Sequence, residues 1–241
     1  MRGIFRSRGI RLNKNSDVMS ASSKIYYDAD FTLLKQPELK RYIDDDILSY
    51  FEYSVDEKGN IDTFNFHLNF DNVCSSLYED LPAEVLNIMD YMPDIFDKTF
   101  LNYTIGYRLN NNSIIDKTFY FYPTIQKKNR IGLKGITDKD VIKKYIDNFI
   151  KYLGIDDEAK VEIQDYACLM YKFKGIGISV FRNNKIDYKI YGKIYSNDVY
   201  EYLSDKILYV SEQSDKYGEV ILTSQRISSK SVTGYNLYYS R

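Results

Sequence analysis

The stretch Tyr188-Lys189-Ile190-Tyr191-Gly192-Lys193-Ile194-Tyr195 alternates between two kinds of side chain. Successive side chains of a β-strand point to opposite faces of the sheet, so this stretch predicts a strand with two different faces. One face carries lysine and tyrosine side chains, namely Lys189, Tyr191, Lys193 and Tyr195. The other face is mainly apolar. The preceding turn, 182–185, joins this strand to residues 168–181 in a predicted hairpin.

The same alternation occurs in two other segments. Thr118, Tyr120 and Tyr122 alternate with Phe119 and Phe121. In residues 61–70, phenylalanine and leucine share one face, and the other face carries Thr63, Asn65, His67 and Asn69. Faces this apolar suit contact with a layer of helices. We therefore expect the polar faces to point away from the helices, towards the inside of a curved or closed sheet.

Periodicity predicts helical stretches that alternate with pairs of strands. The predicted helices are 37–48, 86–92, 137–154 and 198–208, with Thr137 as the N-cap and Gly154 as the end of the third. The predicted strand pairs are 50–55 with 61–70, 101–109 with 117–125, 168–181 with 187–195, and 219–227 with 232–239.

Hairpins between helices imply an antiparallel sheet and an α+β fold, since parallel folds need single strands between helices. Closing that sheet into a barrel, with the helices outside, removes its edges. The repeated α-β-β unit therefore predicts one barrel domain over residues 1–241. Residues 1–30 are either a basic arm, which is solvated or contacts phosphate or acidic peptide, or a partial repeat in which 9–12 and 24–27 form a further hairpin.

Composition excludes several classes of protein. The chain has 241 residues, 44% of them hydrophobic, and a formal net charge of -1, which argues against disorder and against nucleic-acid binding by bulk charge. His67 is the only histidine, and two cysteines without C-x-x-C spacing suggest reduced thiols in a cytoplasmic protein. No segment is apolar enough for membrane insertion. The unusual counts are 25 Tyr and 13 Phe without Trp.

A lumen of ammonium groups and phenol rings suits a prenyl diphosphate. Lysine, arginine and tyrosine hydroxyls can neutralise the diphosphate leaving group, and aromatic faces can hold an allylic carbocation. An acceptor also needs a base to take its proton, and a carboxylate is a natural one. Glu52, which shares the polar face of its strand with Tyr50 and Ser54, is the candidate.

These residues resemble a known family over roughly residues 45–240. Short motifs in the same order are similar to those of the ABBA aromatic prenyltransferases, especially the enzymes that prenylate cyanobactin-type peptides: Thr118-Phe119-Tyr120-Phe121-Tyr122-Pro123, Tyr188-Lys189-Ile190-Tyr191-Gly192 and Tyr235-Asn236-Leu237-Tyr238-Tyr239. The resemblance implies a ten-stranded antiparallel barrel, a dimethylallyl or longer prenyl diphosphate donor and, in the peptide branch, Mg²⁺. Four predicted hairpins leave one unit missing; either residues 1–30 supply it, or the barrel is smaller or open.

The resemblance also implies roles for individual residues. Lys189 would bind diphosphate, and Tyr120, Tyr191 and Tyr238 would shield the cation. Thr118 stands where a lysine is expected, and Asn65 where relatives often have an arginine. The candidates to replace them are Lys117, if a bulge turns it inward, together with Arg108, Arg226 and Lys193. Glu52 would be the base, and the remaining lumen candidates are His67, Tyr122 and Tyr195; metal ligands cannot be named.

We therefore expect transfer of a prenyl group, most readily C5, to a side chain of a ribosomally made peptide or to a small aromatic. A non-catalytic barrel that binds a peptide or apolar ligand, and an inactive prenyltransferase relative, are the alternatives. Two acidic runs, 44–46 and 156–158, lack the D-D-x-x-D spacing of helical isoprenoid enzymes and are interpreted as helix-start or loop charges.

Overall fold

The computed structural model describes most of the chain. The described residues are 4–14, 18–28, 48–68, 83, 86–88, 90–91, 100–110, 113–127, 130–133, 135–204, 218–228 and 230–240. Residues 37–47 of the first predicted helix lie outside them, as do the acidic run 44–46 and Cys74; Leu48 belongs to a strand.

The described elements are mainly strands. They are β1 (Ile4–Asn13), β2 (Val18–Asp28), β3 (Leu48–Val55), β4 (Ile61–Leu68), β5 (Phe100–Asn110), β6 (Ser113–Lys127), β7 (Arg130–Leu133), β8 (Lys172–Phe181), β9 (Ile186–Lys193), β10 (Val220–Ser228) and β11 (Ser231–Tyr239). The helices with described bounds are α1 (Lys139–Leu153), α2 (Asp157–Leu169) and α3 (Ser196–Ser204). Residues 86–88 and 90–91 of the second predicted helix are also helical.

Ten of these strands close into an antiparallel barrel. Their order is β5-β4-β3-β2-β1-β11-β10-β9-β8-β6, and β6 pairs again with β5 to complete the ring. The short β7 pairs with the end of β6 beyond its contact with β8. The predicted antiparallel barrel built from α-β-β units is therefore confirmed, because each strand of the ring has a neighbour on both sides.

The first two strands supply the hairpin that the four predicted pairs lacked. β1 pairs with β2 on one side and with β11 on the other, which closes the barrel between the two ends of the described chain. The interpretation of residues 1–30 as a solvated arm is wrong for the described part, since Ile10 and Leu12 are buried in the core. The alternative of a fifth repeat fits the structure.

The hydrophobic core lies between the barrel wall and the helices. Phe149 of α1 is fully buried and meets the ring of Tyr188 edge-on, with 5.9 Å between centroids. Tyr166 of α2 packs on Tyr235 of β11 at 5.4 Å. Burial of a large side chain contributes about 1.5–3 kcal/mol, so these contacts hold the apolar face outward and leave the polar face for the lumen.

One of three helix boundaries differs from the prediction. Asp138, rather than Thr137, caps α1, because its carboxylate accepts hydrogen bonds from the backbone N of Asp140 and Val141 at 3.0 and 3.1 Å. Gly154 ends α1 as predicted, in the left-handed conformation that glycine adopts without strain. The interpretation of run 156–158 as helix-start charge is confirmed, since α2 begins at Asp157.

The helix α2 itself was missed. The predicted strand from 168 was placed too early, because residues up to Leu169 complete α2 and β8 begins at Lys172. In the described residues, no helix combines the length and the hydropathy required to cross a membrane.

Candidate active site in the barrel lumen

The barrel encloses a cavity of about 390 Å³, within the usual range for small-molecule sites. Its lining carries charges of both signs. The cations are Arg11, Arg108, Lys189 and Arg226, and the carboxylates are Asp62, Asp116 and Asp187; Tyr120 and Tyr238 contribute phenol groups. A site of this composition is suited to a charged ligand.

Lys189 projects from β9 into this cavity. Its Nζ lies 3.4 Å from Oγ1 of Thr118 and 5.9 Å from the centroid of the Tyr120 ring. The Thr118 hydroxyl is itself hydrogen-bonded to that of Ser179, with 2.6 Å between the oxygens. Thr118, found where a lysine was expected, therefore positions the ammonium of Lys189.

Burial lowers the pKa of Lys189 to about 8. The nearby carboxylate of Asp116 opposes this shift, whereas the guanidinium groups of Arg108 and Arg226 add to it. An anion beside Nζ would stabilise the charged ammonium. The electrostatic environment is therefore that of a cationic site without a full set of counter-charges.

Two tyrosine rings meet beside this ammonium. Tyr120 and Tyr191 are in edge contact, with centroids 5.4 Å apart. Gly177 leaves room for them, because a Cβ at this position would lie 3.0 Å from the Tyr191 ring. Burial raises the pKa of both phenols well above the ordinary value, so both keep their protons and remain hydrogen-bond donors at neutral pH.

Arg226 crosses the inner wall from β10 to β1. Its Nη2 donates to the backbone carbonyl of Leu12, although β11 lies between these strands. The crossing passes over Gly234, whose φ of 148° and lack of a side chain admit the guanidinium; a Cβ there would overlap Nη2. Burial, reinforced by the charge of Arg108, lowers the pKa of Arg226 to about 10.

Two aspartates that the sequence analysis missed balance part of this charge. Asp116 forms an ion pair with Arg108, whose guanidinium also lies 5.6 Å from the centre of the Phe181 ring. Asp187 lies 3.4 Å from Nζ of Lys185. The signal was present in the alternation, since Asp116 precedes Thr118 by two residues and Asp187 precedes Lys189 by two.

Glu52 lies on the inner face of β3 and is 7% exposed. Ser54, two residues further along the strand, lines the cavity, whereas Glu52 does not. Its neighbours across the sheet are Tyr27 on β2 and Asn65 on β4. Asn65 lines the cavity, and its Oδ1 is buried with no hydrogen-bond partner in the structure. Glu52, the predicted base, therefore lies on the strand next to Asn65, whose uncharged amide lines the cavity.

The structure does not bring every predicted lumen residue to the cavity. Lys117 is on the other face of β6, between the lining residues Asp116 and Thr118, and the regular register from Asp116 to Phe121 leaves no bulge to turn it inward. Tyr195 lies beyond the end of β9, is 62% exposed and stacks on Tyr171, so its predicted lumen position is wrong.

Two further candidates do not line the cavity, and a third has no described side chain. Lys193 and Tyr122 have the inward alternation of their strands but are absent from the lining. The backbone of His67 pairs with Tyr50 and Thr104, and its side chain lies outside the described residues.

The described lining does not form a metal centre of its own. No group of three His, Cys, Asp or Glu side chains that could hold a metal ion occurs in the described part of the chain. Asp116 and Asp187 are each engaged by a cationic side chain. Mg²⁺ usually binds through one or two carboxylates together with substrate phosphates.

Comparison with known proteins gave a structural match only. Neither a protein family model nor a curated protein matches the sequence. A matching solved structure is the 6-dimethylallyltryptophan synthase of Micromonospora olivasterospora in complex with DMASPP and Trp, with 10% identity and a TM-score of 0.49, over 97% of this chain and 81% of that one. The chemistry of the cavity therefore has to be inferred from its own residues.

Proposed function

We propose that this protein transfers a prenyl group from a prenyl diphosphate to a nucleophilic acceptor. One observation carries the proposal: within a closed barrel, the ammonium of Lys189 faces the ring of Tyr120, which contacts the ring of Tyr191. Lys189 and Tyr120 line the same cavity, so a group that attracts an anion and a ring that can stabilise a cation are neighbours there; the buried ring of Tyr191 contacts Tyr120 but is not part of the lining.

Each half of this arrangement suits one half of an allylic diphosphate. Lys189 and Arg226 would bind the diphosphate oxygens, with tyrosine hydroxyls as further donors. As the C–O bond breaks, its electron pair leaves with the diphosphate and positive charge develops on the allylic carbon. Cation–π contact with Tyr120 and Tyr191 is worth about 2 kcal/mol where water is excluded. Tyr238, which also lines the cavity, would shield another side of that cation.

The acceptor would attack the allylic carbon and lose a proton. Glu52 is the proposed base, since it is a buried carboxylate on the inner face of β3. Asn65, beside it on β4, offers an amide to the acceptor. The uncharged amide of Asn65 could hydrogen-bond to a neutral side chain or ring as it approaches the cation.

The finer features of the proposal come from the resemblance. They are a C5 donor, an acceptor that is a ribosomally made peptide or a small aromatic, and Mg²⁺ carried in by the diphosphate. A cytoplasmic location is proposed separately, from two cysteines without the spacing of a disulfide framework. The alternative of a passive site for an apolar ligand is disfavoured by the charged lining, because burying Lys189 and Arg226 without an anionic ligand has an energetic cost.

The proposal is tested by incubating the protein with dimethylallyl diphosphate, with and without Mg²⁺, and a panel of acceptors. The panel contains free tryptophan, free tyrosine and short peptides with Tyr, Trp, Ser or Thr. We expect mass spectrometry to show one added isoprenyl unit on at least one acceptor, and its loss in Lys189→Met but not in Lys160→Met, which alters an exposed helix position. Donor binding without transfer to any acceptor would favour the inactive relative; absence of both would favour a binding barrel.

A further inference from the structure

Arg11 is a cation of the cavity whose guanidinium has no counter-charge among the described residues. It lines the cavity from β1, its Nε is buried with no hydrogen-bond partner, and no ion pair joins it to the described residues. Arg108, by contrast, is paired with Asp116, and Lys189 contacts Thr118. A guanidinium held inside a protein in this way is a site for an anion.

The order and register of the strands place Arg11 on the same part of the barrel wall as Lys189 and Arg226. Arg226 is the direct cross-strand neighbour of Lys189, and its guanidinium reaches the carbonyl of Leu12, the residue after Arg11. These cations therefore follow one another around the wall from β9 through β10 to β1. β11 lies between β10 and β1. Its residue beside Arg226 is Gly234, which has no side chain to block the path of the guanidinium to Leu12.

A second set of cross-strand contacts connects Arg11 with Tyr191 through β11 and β10. Arg11 pairs with Asn236, whose amide donates to Ser224 at 2.7 Å, and Ser224 pairs with Tyr191. Arg11 is thus two residues along the strands from the row of the Lys189–Arg226 pair, in the same row as Tyr191.

We propose that Arg11, Lys189 and Arg226 form the diphosphate-binding arc, in which Arg11 takes the terminal phosphate through its guanidinium fork. The inference rests on the proposed function and names the anion-binding residues of that site. Arg11 thereby supplies the positive charge that Asn65 does not. Arg108 lies outside the arc, because its guanidinium is already neutralised by Asp116.

The electrostatics of the two other members support this arrangement. Burial is the main cause that lowers the pKa values of Lys189 and Arg226; the charge of Arg226 adds to the shift of Lys189, and the charge of Arg108 adds to both. A multiply charged anion offsets the repulsion between these cations at each one that it touches.

The experiment is calorimetric titration of the whole chain with inorganic pyrophosphate and with a non-ionisable thiolo analogue of dimethylallyl diphosphate. The variants are Arg11→Met, Arg11→Lys and Arg182→Met, the last removing an arginine that is exposed in the turn between β8 and β9. We expect Arg11→Met to weaken both ligands about 10- to 100-fold, as loss of a charge-assisted hydrogen bond predicts. Arg11→Lys should recover part of the affinity, and Arg182→Met should match the wild type.

The outcomes separate this inference from the function on which it rests. If the wild type binds neither ligand, both fail. If the wild type binds both and Arg11→Met binds them equally well, the arc is wrong and the proposed function stands. An unchanged pyrophosphate affinity with a raised KM for acceptors that carry a carboxylate also overturns the arc and assigns Arg11 to the acceptor.

A variant that unfolds is replaced by a measurement on the wild type. Arg11→Lys keeps the charge and identifies the Arg11 Nε–H resonance by its disappearance from the NMR spectrum of arginine side chains. We expect that resonance to shift in the wild type when pyrophosphate is added. A resonance that does not move while pyrophosphate binds would contradict the arc.

Discussion

Replacement of Lys189 by methionine should weaken donor binding and, at the same time, stabilise the folded protein. Methionine has a similar length and no charge, so it removes the ammonium from the lumen with little change in volume. The ammonium lies 3.4 Å from the Thr118 hydroxyl and 5.9 Å from the Tyr120 ring centre, where a donor's diphosphate would meet it.

The two effects have different sizes. Loss of a charge-assisted contact to diphosphate costs about 1.5 to 3 kcal/mol, or about 10- to 100-fold in affinity. The gain in stability follows from the pKa of Lys189, which is lowered from 10.5 to about 8. Since one pKa unit corresponds to about 1.4 kcal/mol, the charged lysine destabilises the fold by up to about 3 kcal/mol below pH 8.

The assay combines calorimetry with the thiolo donor analogue and urea unfolding at several pH values. Below pH 8 the lysine is charged in both the folded and the unfolded state, and the methionine variant should be the more stable protein. Between pH 8 and 10.5 the folded lysine loses its proton while the unfolded one keeps it, so the stability difference should shrink. Donor affinity of the wild type should fall over the same rise in pH, because the neutral amine no longer attracts diphosphate.

Lys160→Met is the control, since Lys160 is an exposed residue on α2 and should leave both readouts unchanged. A methionine variant at 189 that binds the analogue as tightly as the wild type would remove Lys189 from the donor site. A stability difference that does not change between pH 7 and pH 10.5 would refute the assigned pKa.

Further predictions concern the proposed base Glu52, two residues that line the cavity, Gly106 and Tyr120, and the core residue Phe149. Glu52→Gln should lower turnover without altering affinity for the thiolo analogue; unchanged turnover would exclude it as the base. Gly106→Ala places a Cβ against Asn65 Oδ1 and 2.9 Å from the Tyr120 ring, and should cost about 1–3 kcal/mol in urea unfolding as well as donor affinity. Tyr120→Leu should lower turnover about 30-fold through loss of the cation–π contact, whereas Tyr120→Phe should retain most of it; equal loss in both would implicate the hydroxyl instead. Phe149→Ala should lower the free energy of unfolding by about 3–5 kcal/mol, and a much smaller effect would contradict its burial.

Much of the barrel could be predicted because its two faces differ chemically. Alternation of Lys189 and Tyr191 with Tyr188 and Ile190 assigned the inner and outer faces of β9, and the burial of Ile190 agrees with that assignment. The turn before β9 could also be predicted from its asparagines, because asparagine tolerates the positive φ that Asn184 adopts there.

The first hairpin was ambiguous for a physical reason. Bulges interrupt the β1–β2 register on both sides of Arg11, so the regular alternation that reveals a strand is lost there. The segment that contains Arg11 was consequently interpreted as a basic arm, although Arg11 lines the cavity. Helix α2 was missed because its apolar residues do not form a single clear stripe.

Charge pairing inside the lumen could not be predicted from a single strand. Whether Arg108 is available depends on Asp116, which lies on the next strand and becomes its partner only through the register of β5 and β6. The reach of Arg226 to Leu12 similarly depends on the closure of the barrel through β11. Both contacts depend on how strands pair, and the alternation within a single strand carries no information about pairing.

The most direct test of the prenyl-diphosphate site is a calorimetric titration of the wild-type chain with the thiolo analogue of dimethylallyl diphosphate, with and without Mg²⁺, beside the geranyl analogue. The account predicts saturable binding of at least the dimethylallyl analogue, weakened by Lys189→Met. Folded protein that binds neither analogue under any of these conditions would contradict it.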